Sequence, residues 1–186
     1  MNKEIDISNV VLTTERMILR AWKQSDLDDF YEYASVDGVG QMAGWNPHKS
    51  KEETQMILNS FMNHKKTFAL VFEGKVIGSL GIEEYDENSH PELKNLKGRS
   101  IGYVLSKEYW GRGLMPEAVK AVIDYMFDDV NADFLLVSHF DWNKQSQRVI
   151  QKCGFSFIGT KTFETRYNTI ETCREYILYN QSNCCW

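Results

Sequence analysis

The densest chemistry in this sequence lies in residues 109–118, YWGRGLMPEA, where two glycines bracket an arginine and a proline precedes an amphipathic run. A helix starting here would offer unpaired N–H groups and the positive end of its dipole, both of which attract anions. Gly111 and Gly113 have no side chains, so a pyrophosphate could approach the backbone closely. Arg112 could add a charge-assisted contact. Pro116 is tolerated in the first helical turn, where its missing N–H would have no partner anyway. The same residues also suit a tight strand-to-helix turn that binds nothing, and the loop alone leaves both readings open. Two other phosphate motifs fail on spacing. No Gly-x-x-x-x-Gly-Lys-Ser/Thr occurs, and a dinucleotide fingerprint would need glycine where Pro116 stands.

Other residues carry chemistry of their own. Asn143 and Ser146 are three apart, which places them near one face of a first helical turn. Asn143 also reads simply as a helix cap. His139 titrates near neutral pH, and it also reads as a hydrogen-bonded histidine at a sheet margin. Glu83 and Glu84 close a strand-like run. Being adjacent, only one of them can face a given side of a regular strand.

The elements that must position these groups follow from periodicity. Residues 16–22, RMILRAW, alternate as a strand. Ser25 with Asp28, and Ser50 with Glu53, are spaced as capping boxes and open two helices. In the second, Met56, Ile57, Phe61 and Met62 lie at helical spacing. Residues 68–72 and 76–82 read as a hairpin turning at Glu73-Gly74-Lys75. Residues 99–105 form another strand, and residues 116–129 an amphipathic helix with Ala118, Val119, Val122, Ile123, Met126 and Phe127 on one face. Residues 133–139 are a nearly continuous apolar run, as in a central strand. A helix follows, capped by Asn143 and ended by Gly154. Two strands finish the chain. The order predicts a mixed α/β fold around one sheet of about seven strands, with one parallel crossover between residues 99 and 139.

Composition bounds the function. The chain has 186 residues, which suits a single domain over residues 1–186. With 42% hydrophobic and 25% charged residues it reads as soluble and globular. A net charge of -5 argues against a general nucleic-acid binder. No run reaches a membrane span, and no signal peptide is visible. The four cysteines match no zinc spacing, so no metal is expected, and a reducing cytoplasm is the natural setting. Cys184 and Cys185 read as part of a loose tail from about residue 180.

The loop in its context resembles the GCN5-related N-acetyltransferase (GNAT) superfamily. There a Gln/Arg-x-x-Gly-x-Gly/Ala loop holds the pyrophosphate of acetyl-CoA through backbone amides. The matching positions are Trp110, Gly111, Arg112, Gly113, Leu114 and Met115. Trp110 replaces the polar residue of the consensus and Met115 the final small one. Residues 12–30, LTTERMILRAWKQSDLDDF, and residues 143–155, NKQSQRVIQKCGF, are similar to segments of the ribosomal-protein alanine N-acetyltransferase branch. The resemblance covers nearly the whole chain.

What the resemblance implies is an acetyl-CoA-dependent N-acetyltransferase. It would act on a primary amine, a protein N-terminus or a small molecule, by direct transfer in a ternary complex. The fold would be mostly antiparallel with a splayed parallel pair and about four helices. Val104 and Leu105, at the splayed strand end, would meet pantetheine and the acetyl oxygen. Asn143 would bond pantetheine, and Ser146 would donate to the leaving sulfur. Related enzymes often carry a glutamate base where Ser100 stands. Glu83, Glu84 and His139 are the substitutes, unless a water chain takes the proton. The loop at residues 44–48, GWNPH, would either line the acceptor pocket or be a structural loop anchored by Trp45. A homodimer through the C-terminal strands fits the same superfamily. Two competing readings are a non-catalytic acyl-CoA-binding module, motivated by Ser100 and Met115, and a nucleotide-binding domain of another class.

Overall fold

In the computed structural model, which describes residues 1–183, twelve regular elements form around one eight-stranded sheet. The chain runs β1 (Val11–Thr13), β2 (Met17–Ala21), α1 (Leu27–Ala34), α2 (Lys51–His64), β3 (Thr67–Phe72), β4 (Lys75–Glu83), β5 (Gly98–Leu105), α3 (Leu114–Asp124), β6 (Phe134–Phe140), α4 (Lys144–Lys152), β7 (Ser156–Glu164) and β8 (Ile170–Tyr179). The spatial order is β1-β2-β3-β4-β5-β6-β8-β7. Every neighbouring pair is antiparallel except β5 and β6.

That parallel pair shapes the site. Its ladder runs only from Gly98↔Phe134 to Ile101↔Val137. Beyond it, residues 102–105 pair with β4 alone and residues 138–140 with β8 alone. The strands splay there because each stays with its antiparallel partner while α3, the crossover helix, packs on the sheet behind.

Alternation along the strands sorts two cores to opposite faces. Leu19, Leu70, Leu80, Ile101 and Val137 meet Leu114, Ala118, Val122 and Met126 of the α3 region. Trp22, Ala69 and Val76 meet Phe30 and Tyr33 of α1 and Leu58 of α2. Each fully buried side chain of Leu size contributes about 1.5–3 kcal/mol.

Several local expectations hold in detail. The β3–β4 turn is two residues, Glu73 and Gly74, both at positive φ (50° and 82°), as a tight hairpin turn requires. Ser50 caps α2 by accepting from the Glu53 N–H. Others need correction. Ser25 and Asp28 form no capping box: Asp26 accepts from the Lys23 N–H instead, and Asp28 pairs with Lys51. Met56 and Met62 are exposed, and Leu58 carries the buried face of α2. An eighth strand, β1, exists. Its three residues are not buried, so no apolar alternation announced it. At residue 180, where the loose tail was expected to start, Asn180 is buried, and its amide donates to the Ala132 carbonyl. Cys184 and Cys185 lie outside the described residues. No helix among the described residues is long and apolar enough to cross a membrane.

Candidate active site

The splay opens a cleft of about 470 Å³ between the ends of β5 and β6, with α3 and α4 on one side. Ten residues expected to contribute from separate parts of the sequence line it together: Val104, Leu105, Trp110, Gly111, Gly113, Leu114, Met115, His139, Asn143 and Ser146.

The glycine loop forms one wall. Gly111 and Gly113 sit at φ 76° and 77°, a conformation that side chains with a Cβ resist. Gly113 is the cap of α3. Among the described residues, no intramolecular acceptor takes the N–H groups of residues 111–115. They are donors without a protein partner at the N-terminus of α3, a setting that favours an anion. Trp110 does not point its polar group into this cradle. Its Nε1 donates to the Leu105 carbonyl at 2.8 Å and ties the loop to the end of β5. Met115 is buried and packs in the core while also lining the cleft.

Two expected site residues lie elsewhere. Arg112 does not line the cleft: its guanidinium stacks over Tyr109 and Phe72, 5.3 and 5.0 Å from the ring centroids. Flanking residues at positive φ turn residue 112 outward. Glu83, at the end of β4 opposite Ser100, also does not line the cleft. Its exposed side chain folds back along the sheet, where a Cβ on Gly81 would collide with its carboxylate. Gly81 pairs with Gly102, a cleft residue, so Glu83 stands one glycine pair away. Glu84 is engaged by Lys66 at 2.7 Å and Arg99 at 3.2 Å.

Asn143 and Ser146 occupy the start of α4. Asn143 Oδ1 accepts from the Ser146 N–H at 3.1 Å, and its amide donates to the Met42 carbonyl at 3.3 Å. It is therefore both helix cap and tie to the loop after α1. Ser146 Oγ lies 2.9 Å from the Tyr103 hydroxyl. Burial raises the Tyr103 pKa above its usual 10, so that hydroxyl stays protonated. Tyr103 was missed from sequence. The signal was the alternation Ile101, Tyr103, Leu105 on one face of β5.

His139 is buried, and its Nδ1 lies 2.7 Å from the Phe140 carbonyl. A carbonyl only accepts, so Nδ1 carries the proton. Nε2 then accepts from the Tyr176 hydroxyl at 3.2 Å. Burial lowers its pKa. Both nitrogens are thus committed to neighbours.

Val39, Met42, Ala43, Phe140 and Phe163 give the cleft much of its apolar lining. None of residues 44–48 lines the cleft. Trp45 packs so closely on Gly40 that a Cβ there would collide with its ring, and it also stacks against His48. The cleft's basic side chains of Arg and Lys type are Arg148 and Lys152, both on α4. Among the described residues no cluster of His, Cys, Asp or Glu could hold a metal.

Comparison with known proteins agrees with this geometry. The family model described as "Acetyltransferase (GNAT) domain" matches residues 16–156. The chain is 28% identical over 156 residues to the uncharacterized N-acetyltransferase p20 of Bacillus licheniformis, covering 80% of this chain and 83% of p20. A GNAT-family acetyltransferase structure from Bacillus anthracis superposes with a TM-score of 0.80 at 20% identity, over 92% of this chain and 99% of that one. The ribosomal-protein-S5-alanine acetyltransferase of Vibrio fischeri gives 0.72 at 23%, over 93% and 98%. The microcin C7 self-immunity acetyltransferase MccE, solved with acetyl-CoA and AMP, gives 0.75 at 15%, over 89% and 93%. These structural likenesses concern the fold. The matched family model spans the splayed pair, the glycine loop and α4 alike, and the chain belongs to the GNAT acetyltransferase family, as an N-acetyltransferase.

Proposed function

We propose that the protein transfers an acetyl group from acetyl-CoA directly to a primary amine, either a protein N-terminal α-amine or a small-molecule amine, in a ternary complex. The observation that carries this is the run of N–H groups at residues 111–115 with no intramolecular acceptor among the described residues, in a loop whose Gly111, Gly113, Leu114 and Met115 line a cleft where β5 and β6 part. Those donors suit a pyrophosphate. Arg148 and Lys152 on the adjoining wall add positive charge along the path of an acidic ligand. When bound, acetyl-CoA supplies an activated acetyl thioester. Residues 102–105 of β5, including Val104 and Leu105, have no partner on the β6 side and would orient it by backbone hydrogen bonds there, while the Leu105 carbonyl already accepts from Trp110 Nε1.

The Tyr103–Ser146 pair is the nearest proton source for a leaving sulfur: Ser146 would donate, with Tyr103 behind it. Glu83 is the favoured proton acceptor for the amine. Its carboxylate has no ion-pair partner among the described residues and stands beside the Gly81–Gly102 floor. His139 is a poor base, because its acceptor nitrogen already receives the Tyr176 hydroxyl. The apolar lining favours an acceptor with an apolar body over a polycation, since the basic side chains of the cleft, Arg148 and Lys152, would repel one.

Release of free thiol from acetyl-CoA, measured against a panel of amines, tests the reading. Amine-dependent release is expected, faster with apolar α-amines than with polyamines. Tight acetyl-CoA binding without release on any amine would overturn it.

A further inference from the structure

The glycine loop is gripped from outside the cleft by a residue the reaction above does not use. Arg16 lies in the turn between β1 and β2. Its Nη1 donates to the Arg112 carbonyl at 2.9 Å, and its Nε donates to Glu117 Oε2 at 2.7 Å. One guanidinium therefore joins the central peptide of the loop to the first turn of α3. Glu117 is held in its turn: Oε1 accepts from Thr14 Oγ1 at 2.6 Å and from the Arg16 backbone N–H at 2.9 Å.

The peptide between Arg112 and Gly113 is planar and trans, so its carbonyl and its N–H point in opposite directions. Arg16 holds the carbonyl on the outer side. Gly113 lines the cleft while Arg112 does not. The N–H of Gly113 is thereby turned toward the cleft. Without that tie, two flanking glycines would leave the peptide free to rotate, and a ligand would have to pay for ordering it.

We propose that Arg16, anchored by Glu117, is a positioning residue for the anion cradle: it fixes the Arg112–Gly113 peptide so that its N–H is presented to the pyrophosphate of acetyl-CoA. The proposal rests on the acetyl-CoA reading of the cleft. The fork geometry matters. An ammonium offers no rigid pair of donors to span a carbonyl and a carboxylate together, so Arg16→Lys should behave much like Arg16→Gln.

The test compares acetyl-CoA with acetyl-pantetheine, which has the same thioester but no pyrophosphate. Calorimetry should show Kd for CoA raised about tenfold in Arg16→Gln, the loss of one charge-assisted hydrogen bond. The kcat/KM for acetyl-pantetheine should be unchanged. Glu117→Gln should reproduce the same selective defect, and it carries the test if Arg16→Gln does not fold. An unchanged Kd for CoA overturns the proposal. So does an equal loss with both thioesters, which would mark Arg16 as merely structural. If the wild-type protein binds no CoA at all, the underlying functional reading falls first, and that result is distinct from either of the others.

Discussion

The Tyr103 hydroxyl lies 2.9 Å from Ser146 Oγ, joining β5 to the start of α4 across the cleft. In the proposed reaction the two side chains would act as one donor unit, and burial, which raises the Tyr103 pKa, keeps that hydroxyl protonated. Tyr103→Phe and Ser146→Ala should each lower kcat, by about 10²-fold for whichever hydroxyl delivers the proton. Groups that act as a unit are non-additive, so the double variant should be no slower than the worse single one. Multiplied losses in steady-state kcat would show two independent roles.

His139 and His48 predict how stability responds to acid. Burial lowers both pKa values below the usual 6.5. Below pH 6.5 the unfolded chain therefore binds more protons at these positions than the folded one. Their contribution is complete above 6.5 and is lost as pH falls from 6.5 toward the lowered folded values. The drop in Tm between pH 7.5 and 5.5 should shrink in His139→Gln and His48→Gln. An unchanged drop in both would contradict the assignment of neutral buried rings.

Asn143 offers a stability test that separates its two bonds. Asn143→Ala removes the cap on α4 and should cost about 1 kcal/mol in urea unfolding. It also leaves the Met42 carbonyl without its donor. Asn143→Ser keeps a capping oxygen and should recover most of the loss. Equal losses in the two variants would mean that the tie to residue 42, and not the cap, carries the energy.

Elements with strong local chemistry were legible in the sequence. The Asn143 cap and the turn at Glu73 and Gly74 appear where pattern placed them, because each depends on residues within a few positions; the parallel crossover, which pairs Gly98 with Phe134, was legible from the strand–helix–strand order instead. The site was legible only in part. That Gly111 and Gly113 flank an outward-turned Arg112 depends on the aromatic rings of Tyr109 and Phe72, and the second of these is forty positions away in the chain. Tyr103 gains its role from α4, and Glu83 loses cleft contact because it folds back over Gly81. The three-residue β1 is not buried, so burial left no trace of it in the pattern. The Ser25–Asp28 spacing misled for a physical reason: Arg20 and the Lys23 N–H both engage Asp26, and the chain turns two positions earlier.

The most direct measurement is a calorimetric titration of acetyl-CoA into the wild-type protein and into Gly113→Val. Residue 113 sits at φ 77°, which a β-branched side chain cannot adopt without strain, so the substitution should distort the donor cradle while sparing the core. The account predicts binding to the wild type and a loss of at least about tenfold in the variant, the scale of one lost charge-assisted hydrogen bond. An unchanged dissociation constant in Gly113→Val would show that residues 111–115 form only a turn, and it would contradict the claim that this loop holds the cofactor.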